Sequence, residues 1–260
     1  ILDANDNIYI TGFTYLSIDF PVKNGYDMEH NGKYDSFITK LSSDGSQLIY
    51  STFVGGSKDD YATAIYVDHQ NQAYITGYST FSGDYPLTAD AFQTAHKGAY
   101  DAFIAQLSSD GGRLLYSTYI GGNADDFSQD IRVADDGRIY IAGITQSTDF
   151  PTTTNAYQRT LKDKTGTQTG NDCFITAIYP GAKQLALSTL LGGDDKDAAY
   201  SFVLDENANI FLTGQTASIN FPVTKDAFNT NYHISDPDYG VGDIFVAKLD
   251  SKAEKLIFST

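Results

Sequence analysis

The chain has 260 residues, 33 acidic and 17 basic side chains and a formal net charge of −16, with no cluster of lysine or arginine. That balance excludes nucleic acid and anionic membrane surfaces as partners, because both are polyanions. No apolar run reaches the roughly 18 residues of a bilayer-spanning helix, which argues against direct membrane insertion, and the single cysteine, Cys173, rules out an internal disulfide framework and a cysteine-rich zinc site.

The residues that remain are those of strands and turns: 19 Tyr, 16 Phe and 23 Gly, with no Trp. One pattern is written four times. It runs as an aromatic-aliphatic-Thr/Ala-Gly strand, Asp/Asn-aromatic-Pro, Asp before an aliphatic or aromatic strand, Ser-Thr, and Gly-Gly. Its landmark glycines are Gly12, Gly77, Gly143 and Gly214, and its landmark prolines are Pro21, Pro86, Pro151 and Pro222, 65 to 71 residues apart. Such a period marks a repeat architecture. The units run over about 1–52, 53–118, 119–189 and 190–260, and together form one repeat region.

In chain order, the second repeat shows the elements most plainly. Strand A is predicted at Tyr61–Asp68, where Ile65 and Val67 share a face, as Ile131 and Val133 and then Phe202 and Leu204 do later. His69–Gln72 makes a hairpin turn. Strand B follows at Ala73–Thr80; its Gly77 predicts a bulge or the close approach of a neighbouring sheet. A loop of about twenty residues holds Tyr85-Pro86, an extended pair, and Ala91-Phe92. The latter is matched by Ala156-Tyr157 and Ala227-Phe228, which are expected to plug the loop onto the sheet edge. Strand C at Asp101–Leu107 and strand D at Arg113–Ile120 flank a Ser-Ser-Asp-Gly turn, and Gly121-Gly122 leads to the next strand A. Four antiparallel strands per unit in an all-β chain predict β-propeller-type blades. The first blade is expected to lack its strand A, because Ile1 aligns with Tyr66. The array is therefore expected either to be part of a longer chain or to have its open strand edge covered by another subunit.

The combination of Gly-x-x-x-x-Asp ending at Asp60, Tyr-Ile-Thr-Gly, Asp-Tyr-Pro, Asp-Ala-Phe-Ile-Ala and Leu-x-Tyr-Ser-Thr-Tyr-x-Gly-Gly resembles the SBBP repeat, a β-propeller repeat family of bacteria and archaea named for a seven-bladed form. The resemblance covers all four units. Ala142 in place of Thr and Leu187 and Phe258 in place of Tyr depart from it, as do two B–C loops that are six residues longer. It implies a module of an exported or cell-surface protein, extracellular in location. It supplies no catalytic residues.

Chemistry has few footholds. Asp59, Asp60, Asp125, Asp126, and Asp194 and Asp195 with Asp197, follow the double glycines. They offer hard oxygen ligands for Ca²⁺, or side chains that bond the N–H groups of their turns. Asp35, Asp101, Asp172 and Asp243 open each strand C and admit the same two readings. His30, His69, His96 and His233 read as non-equivalent loop residues. Cys173 reads as a small buried side chain, since Ser36, Ala102 and Ile244 fill its slot elsewhere. Ser51, Ser117, Ser188 and Ser259 recur once per unit and so read as structural. The two long loops are the unrepeated material, and Tyr232, His233, Asp236, Asp238 and Tyr239 have a composition suited to sugar or peptide contact. The expected function is non-enzymatic binding, adhesion or structural assembly, with a surface protein or glycan as partner. A polysaccharide hydrolase or lyase with acids on the blade loops and a filament or spacer subunit completed by strand pairing are the alternatives.

Overall fold

A computed structural model describes residues 1–16, 19–162, 170–232 and 242–260. Fifteen strands and no helix are found among them. The first repeat forms a three-stranded sheet of β1 (Ile8–Tyr15), β2 (Tyr34–Leu41) and β3 (Leu48–Val54). The second forms a four-stranded sheet of β4 (Asp60–Val67), β5 (Ala73–Thr80), β6 (Tyr100–Leu107) and β7 (Leu114–Ile120). The third repeats it with β8 (Asp126–Val133), β9 (Ile139–Thr145), β10 (Asp172–Ile178) and β11 (Leu187–Leu191), and the fourth with β12 (Asp197–Leu204), β13 (Ile210–Thr216), β14 (Asp243–Leu249) and β15 (Leu256–Ser259). All pairings are antiparallel between chain neighbours. The chain is thus an all-β series of blade-like sheets, and the first lacks its strand A. Ile1, hydrogen-bonded to Tyr9, and Leu2, bridged to Ile8, are what the first sheet has of that strand.

Local sequence explains the hairpins. Each turn places one residue in the left-handed region: Asn71, Gly137 and Ala208 between strands A and B, and Gly45, Gly111, Gly181 and Ala253 between C and D. Glycine and asparagine enter that region at little cost, whereas alanine does so against its Cβ.

Gly77, Gly143 and Gly214 answer a second constraint. Strand A carries a β-bulge opposite each of them, between Ala62 and Ala64, Ser128 and Asp130, and Ala199 and Ser201. The bulge pushes the carbonyl oxygens of Tyr61, Phe127 and Ala198 into the space a Cβ would fill. The close approach therefore comes from the strand alongside, not from a neighbouring sheet. In the first repeat, which has no such strand, the only neighbour within 4 Å of the same space among the described residues is the Phe37 ring, at 3.2 Å.

The residues group into two compact units, Ile1–Ile120 with Pro180–Lys183, and Gly121–Tyr179 with Gln184–Thr260. Each has its own core. In the first, Ile38, Tyr50 and Val54 of the opening sheet bury against Ile75, Phe103, Ala105 and Leu107 of the next. In the second, Cys173, Ile175 and Leu187 bury against Leu212, Phe245, Ala247 and Leu249. Within each unit, one face of each sheet is thereby used for packing against the other sheet.

The aromatic that fastens each long loop is the residue before proline. Phe20, Tyr85, Phe150 and Phe221 lie with ring centroids 4.7, 5.3, 4.7 and 4.6 Å from Phe37, Phe103, Phe174 and Phe245. Of the expected plugs, Ala91 is buried and Phe92 half-buried in the second repeat, whereas Tyr157 is exposed and Phe228 stands 99% exposed in the third and fourth. Proline holds its predecessor extended, which presents that ring to the sheet.

Candidate functional site

The acids after the double glycines act on their own turns. Asp60, Asp126 and Asp197 are fully buried and accept the N–H of Gly56, Gly122 and Gly193 at 2.7, 2.7 and 2.6 Å. Asp197, not Asp194 or Asp195, is the structural counterpart of Asp60 and Asp126. Asp194 and Asp195 are exposed turn residues, while Asp59 and Asp125 are half-buried. From across the turn, Asp84, Asp149 and Asn220 of the Asp/Asn-aromatic-Pro motif accept the N–H of Ser57, Asn123 and Asp194 at 2.9, 2.6 and 2.9 Å. Among the described residues no three His, Cys, Asp or Glu side chains converge to hold a metal ion.

The acids that open strand C bind the end of the preceding loop. Asp35 accepts the N–H of Asn31 and Gly32, Asp101 that of Lys97 and Gly98, and Asp172 that of Lys162. Gln93 and Gln158 add side-chain donors to Asp101 and Asp172. Burial pushes Asp172 up to about 8, Asp60 to about 7 and Asp197 to about 6. The Oδ1 atom of each meets no protein donor, which leaves that burial cost on the charged form uncompensated. Burial also pushes the Cys173 thiol up, so it stays a protonated, inert packing group.

His30 and His96 prove to be equivalent, against the sequence reading. Each stands five residues before the strand C acid, and their Nε2 atoms lie 3.3 and 2.8 Å from the carbonyls of Thr14 and Ser79, which are themselves equivalent. Unequal loops in the other repeats hid this match. Thr52, Thr118, Thr189 and Thr260 share a further role: each hydroxyl accepts a loop N–H, from Asp27, Gln93, Gln158 and Asn229. The recurrent Ser-Thr pair is therefore a loop clasp.

Of the loop residues singled out in the fourth repeat, Tyr232 lines a hollow of about 260 Å³ with Phe221, Phe228, Asp243, Ile244 and Val246. His233, Asp236, Asp238 and Tyr239 lie outside the described residues.

The feature that the sequence reading missed breaks the repeat rather than following it. Tyr15 pairs directly with Tyr34 across β1 and β2, and Tyr61 with Tyr78 across β4 and β5. Tyr100, at the start of β6, adds a fifth phenol. The rings form a continuous band: Tyr15 to Tyr34 at 4.8 Å, Tyr34 to Tyr61 at 5.1 Å, Tyr61 to Tyr78 at 4.9 Å and Tyr78 to Tyr100 at 5.7 Å. Phe13 packs edge-on against Tyr61 at 4.9 Å. Each such contact contributes about 0.5–1.5 kcal/mol beyond area burial. Tyr15 and Phe13 nevertheless keep 52% and 49% of their surface in solvent, and Lys33 lies 5.7 Å from the centre of the Tyr15 ring. Burial pushes the Tyr61 and Tyr78 phenols up, so both stay protonated donors. Phe127 pairs with Ile144, and Ala198 with Gln215, where the second repeat has its Tyr61–Tyr78 pair. Asn171 and Gly242 stand where Tyr34 and Tyr100 do. A concentration of Tyr at strand ends in the first two repeats was the available signal.

No protein-family model and no curated protein matches the chain. Solved structures similar to it include a computationally designed protein, Ika8 (TM-score 0.37, 11% identity, 90% of this chain and 47% of that one). A chimera of ACO and RPE65 matches with TM-score 0.38 and 10% identity over 86% of this chain and 42% of that one. A quinohemoprotein alcohol dehydrogenase from Pseudomonas putida HK5 matches with TM-score 0.41 and 10% identity over 97% of this chain and 36% of that one. The chain spans less than half the length of each.

Proposed function

We propose that this chain is a non-enzymatic β-propeller-type module of an exported, extracellular protein, and that its aromatic rim binds carbohydrate at a cell surface. The band from Tyr15 to Tyr100 carries the reading. It is a partly exposed aromatic surface edged with hydroxyls, with Tyr15 and Phe13 in solvent and Tyr34, Tyr61, Tyr78 and Tyr100 half-buried, and sugars present the matching combination of C–H faces and hydroxyl edges. Tyrosine supplies that contact at low conformational cost. The repeat does not require these rings, since the third and fourth units fold with Ile144, Asn171, Gln215 and Gly242 in their places. The buried acids support the non-enzymatic part, because each accepts turn or loop N–H groups in an equivalent place in successive repeats. Glycoside hydrolysis requires two acids with different environments facing one cleft.

A glycan array, followed by calorimetry on the retained oligosaccharide, tests this reading. Tyr15→Ala and Tyr78→Ala are expected to weaken binding about tenfold, as loss of an aromatic anchor does, with the folded spectrum intact. Failure to retain any oligosaccharide, or retention untouched by both variants, overturns it. Release of reducing or unsaturated sugar ends from a polysaccharide panel would instead establish the enzyme.

A further inference from the structure

The chain has two Asn-Gly dipeptides, Asn24-Gly25 and Asn31-Gly32, both between β1 and β2 and both with an exposed asparagine. Asn-Gly is the pair in which an asparagine side chain most readily cyclises, because glycine has no Cβ to shield its own backbone nitrogen. That nitrogen attacks the asparagine Cγ, ammonia leaves, and a succinimide ring forms. Water then opens the ring at either carbonyl, giving aspartate or isoaspartate. Nothing is oxidised or reduced, and water is the sole co-reactant.

The two nitrogens are held differently. The Gly32 N–H donates to Oδ1 of the fully buried Asp35 at 2.9 Å, and the Asn31 N–H donates to Oδ2 at 2.6 Å. Asn31 Nδ2 donates in turn to Asp27 at 2.9 Å. Both peptide units around Asn31 are therefore fixed on one carboxyl group, and the ring closes there only after that clasp opens. Gly25 has no such anchor. Its N–H faces Met28 Sδ at 3.3 Å, a weak acceptor on an exposed side chain. Asn24 Nδ2 makes a long bond of 3.3 Å to the Ile49 carbonyl, and its backbone sits at a φ of 50°, which asparagine adopts at little cost. The glycine itself is fixed by packing, since a Cβ on Gly25 would lie 2.6 Å from Thr52 Cβ. In the other repeats the loop is exposed at this point too, at Ala89 and Asp90, Thr154 and Asn155, and Lys225 and Asp226. The exposure of Asn24 is therefore a property of the repeat.

We propose that Asn24 is a site of spontaneous deamidation in the folded protein, and that Asp35 protects Asn31 from the same reaction. Conversion acts where the loop is attached. Lys23 and Asp27, on either side of the site, bond to Ser51 and Phe53 of β3, and the Asp27 N–H also reaches the Thr52 hydroxyl at 2.8 Å. Isoaspartate routes the main chain through an added methylene between these two anchors, so the spacing that lets both engage β3 is lost. Aspartate instead adds a negative charge beside Lys23, whose Nζ donates to the Leu48 carbonyl. This inference stands apart from the carbohydrate reading, because Asn24 is not part of the aromatic rim.

Peptide mapping by mass spectrometry is the test, on protein aged in mildly alkaline buffer either folded or unfolded in urea, with an isoaspartyl methyltransferase to mark isoaspartate. In urea the two dipeptides are expected to convert at similar rates, since each then has the same glycine neighbour and no partner. In the folded protein the Asn24 peptide is expected to gain the mass of an amide-to-acid exchange at least about tenfold faster than the Asn31 peptide, because the latter reacts only through local opening. Asn24→Gln is expected to abolish conversion at its own peptide and leave Asn31 as it was, since the longer side chain closes a ring far more slowly. A smaller difference between the two sites in the folded protein overturns the proposal. So does an Asn24 that stays intact over the time in which the unfolded chain converts.

Discussion

Asp172 shows what one buried carboxyl does to the whole chain. It is held by Gln158 and the Lys162 N–H on one oxygen, and its other oxygen meets no protein donor. Burial lifts it to about 8 from an ordinary value of 3.8, and the neighbouring Asp197 adds to the lift. Asp60 and Asp197 are raised in the same sense, to about 7 and about 6. Between 3.8 and these values the folded chain holds protons that the unfolded chain has released. Stability is therefore full below the unfolded value and is lost as pH rises through the folded ones. The melting temperature is expected to fall as pH rises from about 5 to about 8, and Asp172→Asn is expected to flatten that slope. Differential scanning calorimetry across the range reads both effects, and a melting temperature that climbs over the window contradicts the assignment. The sequence displayed Asp172 as one of four strand-opening acids. It did not display the burial, which arises from a sheet packed against it from a distant part of the chain.

At the scale of the element, the bulge in strand A and the glycine in strand B are one device. The carbonyl of Phe127 occupies the space beside Gly143, so Gly143→Ala is expected to cost roughly 3 kcal/mol or more, at the upper end for forcing volume into a packed site. Gly12 occupies the same place in a sheet without that strand, and only the edge of the Phe37 ring stands near. Gly12→Ala is expected to cost about 1 kcal/mol or less, since a side chain that can turn aside relieves the contact. Chemical denaturation of the two variants checks the contrast, and equal losses would mean that the bulge is not the cause. The four-strand order, hairpin turns and absent first strand A were legible, because period-2 patterns and turn residues are local and occur repeatedly. The pre-proline ring as loop anchor was not. Two aromatics per loop satisfy the same pattern, and only the direction imposed by proline separates them.

For the molecule as a whole, the acidic charge and the blade junctions decide what holds the sheets together. Turns are closed by carboxylates on backbone N–H groups and by threonine hydroxyls on loop N–H groups. Among the described residues no acid cluster remains over for a cation. A ligand that binds only the folded state raises its melting temperature. Chelation followed by added Ca²⁺ is therefore expected to leave the transition where it was. A rise with Ca²⁺ would restore the reading in which Asp59, Asp125 or Asp194 ligate the ion.

The sequence by itself determined the all-β class, the four repeats, the turn chemistry and the missing strand, since each follows from short-range patterns that recur. The tertiary structure alone decided which carboxyls are buried and which of the acids after the third double glycine, Asp197, matches Asp60. It alone gathered five tyrosines into one rim. Those facts depend on register between strands and packing between sheets, which join residues tens of positions apart, and side-chain character along the chain does not encode that proximity in any local pattern.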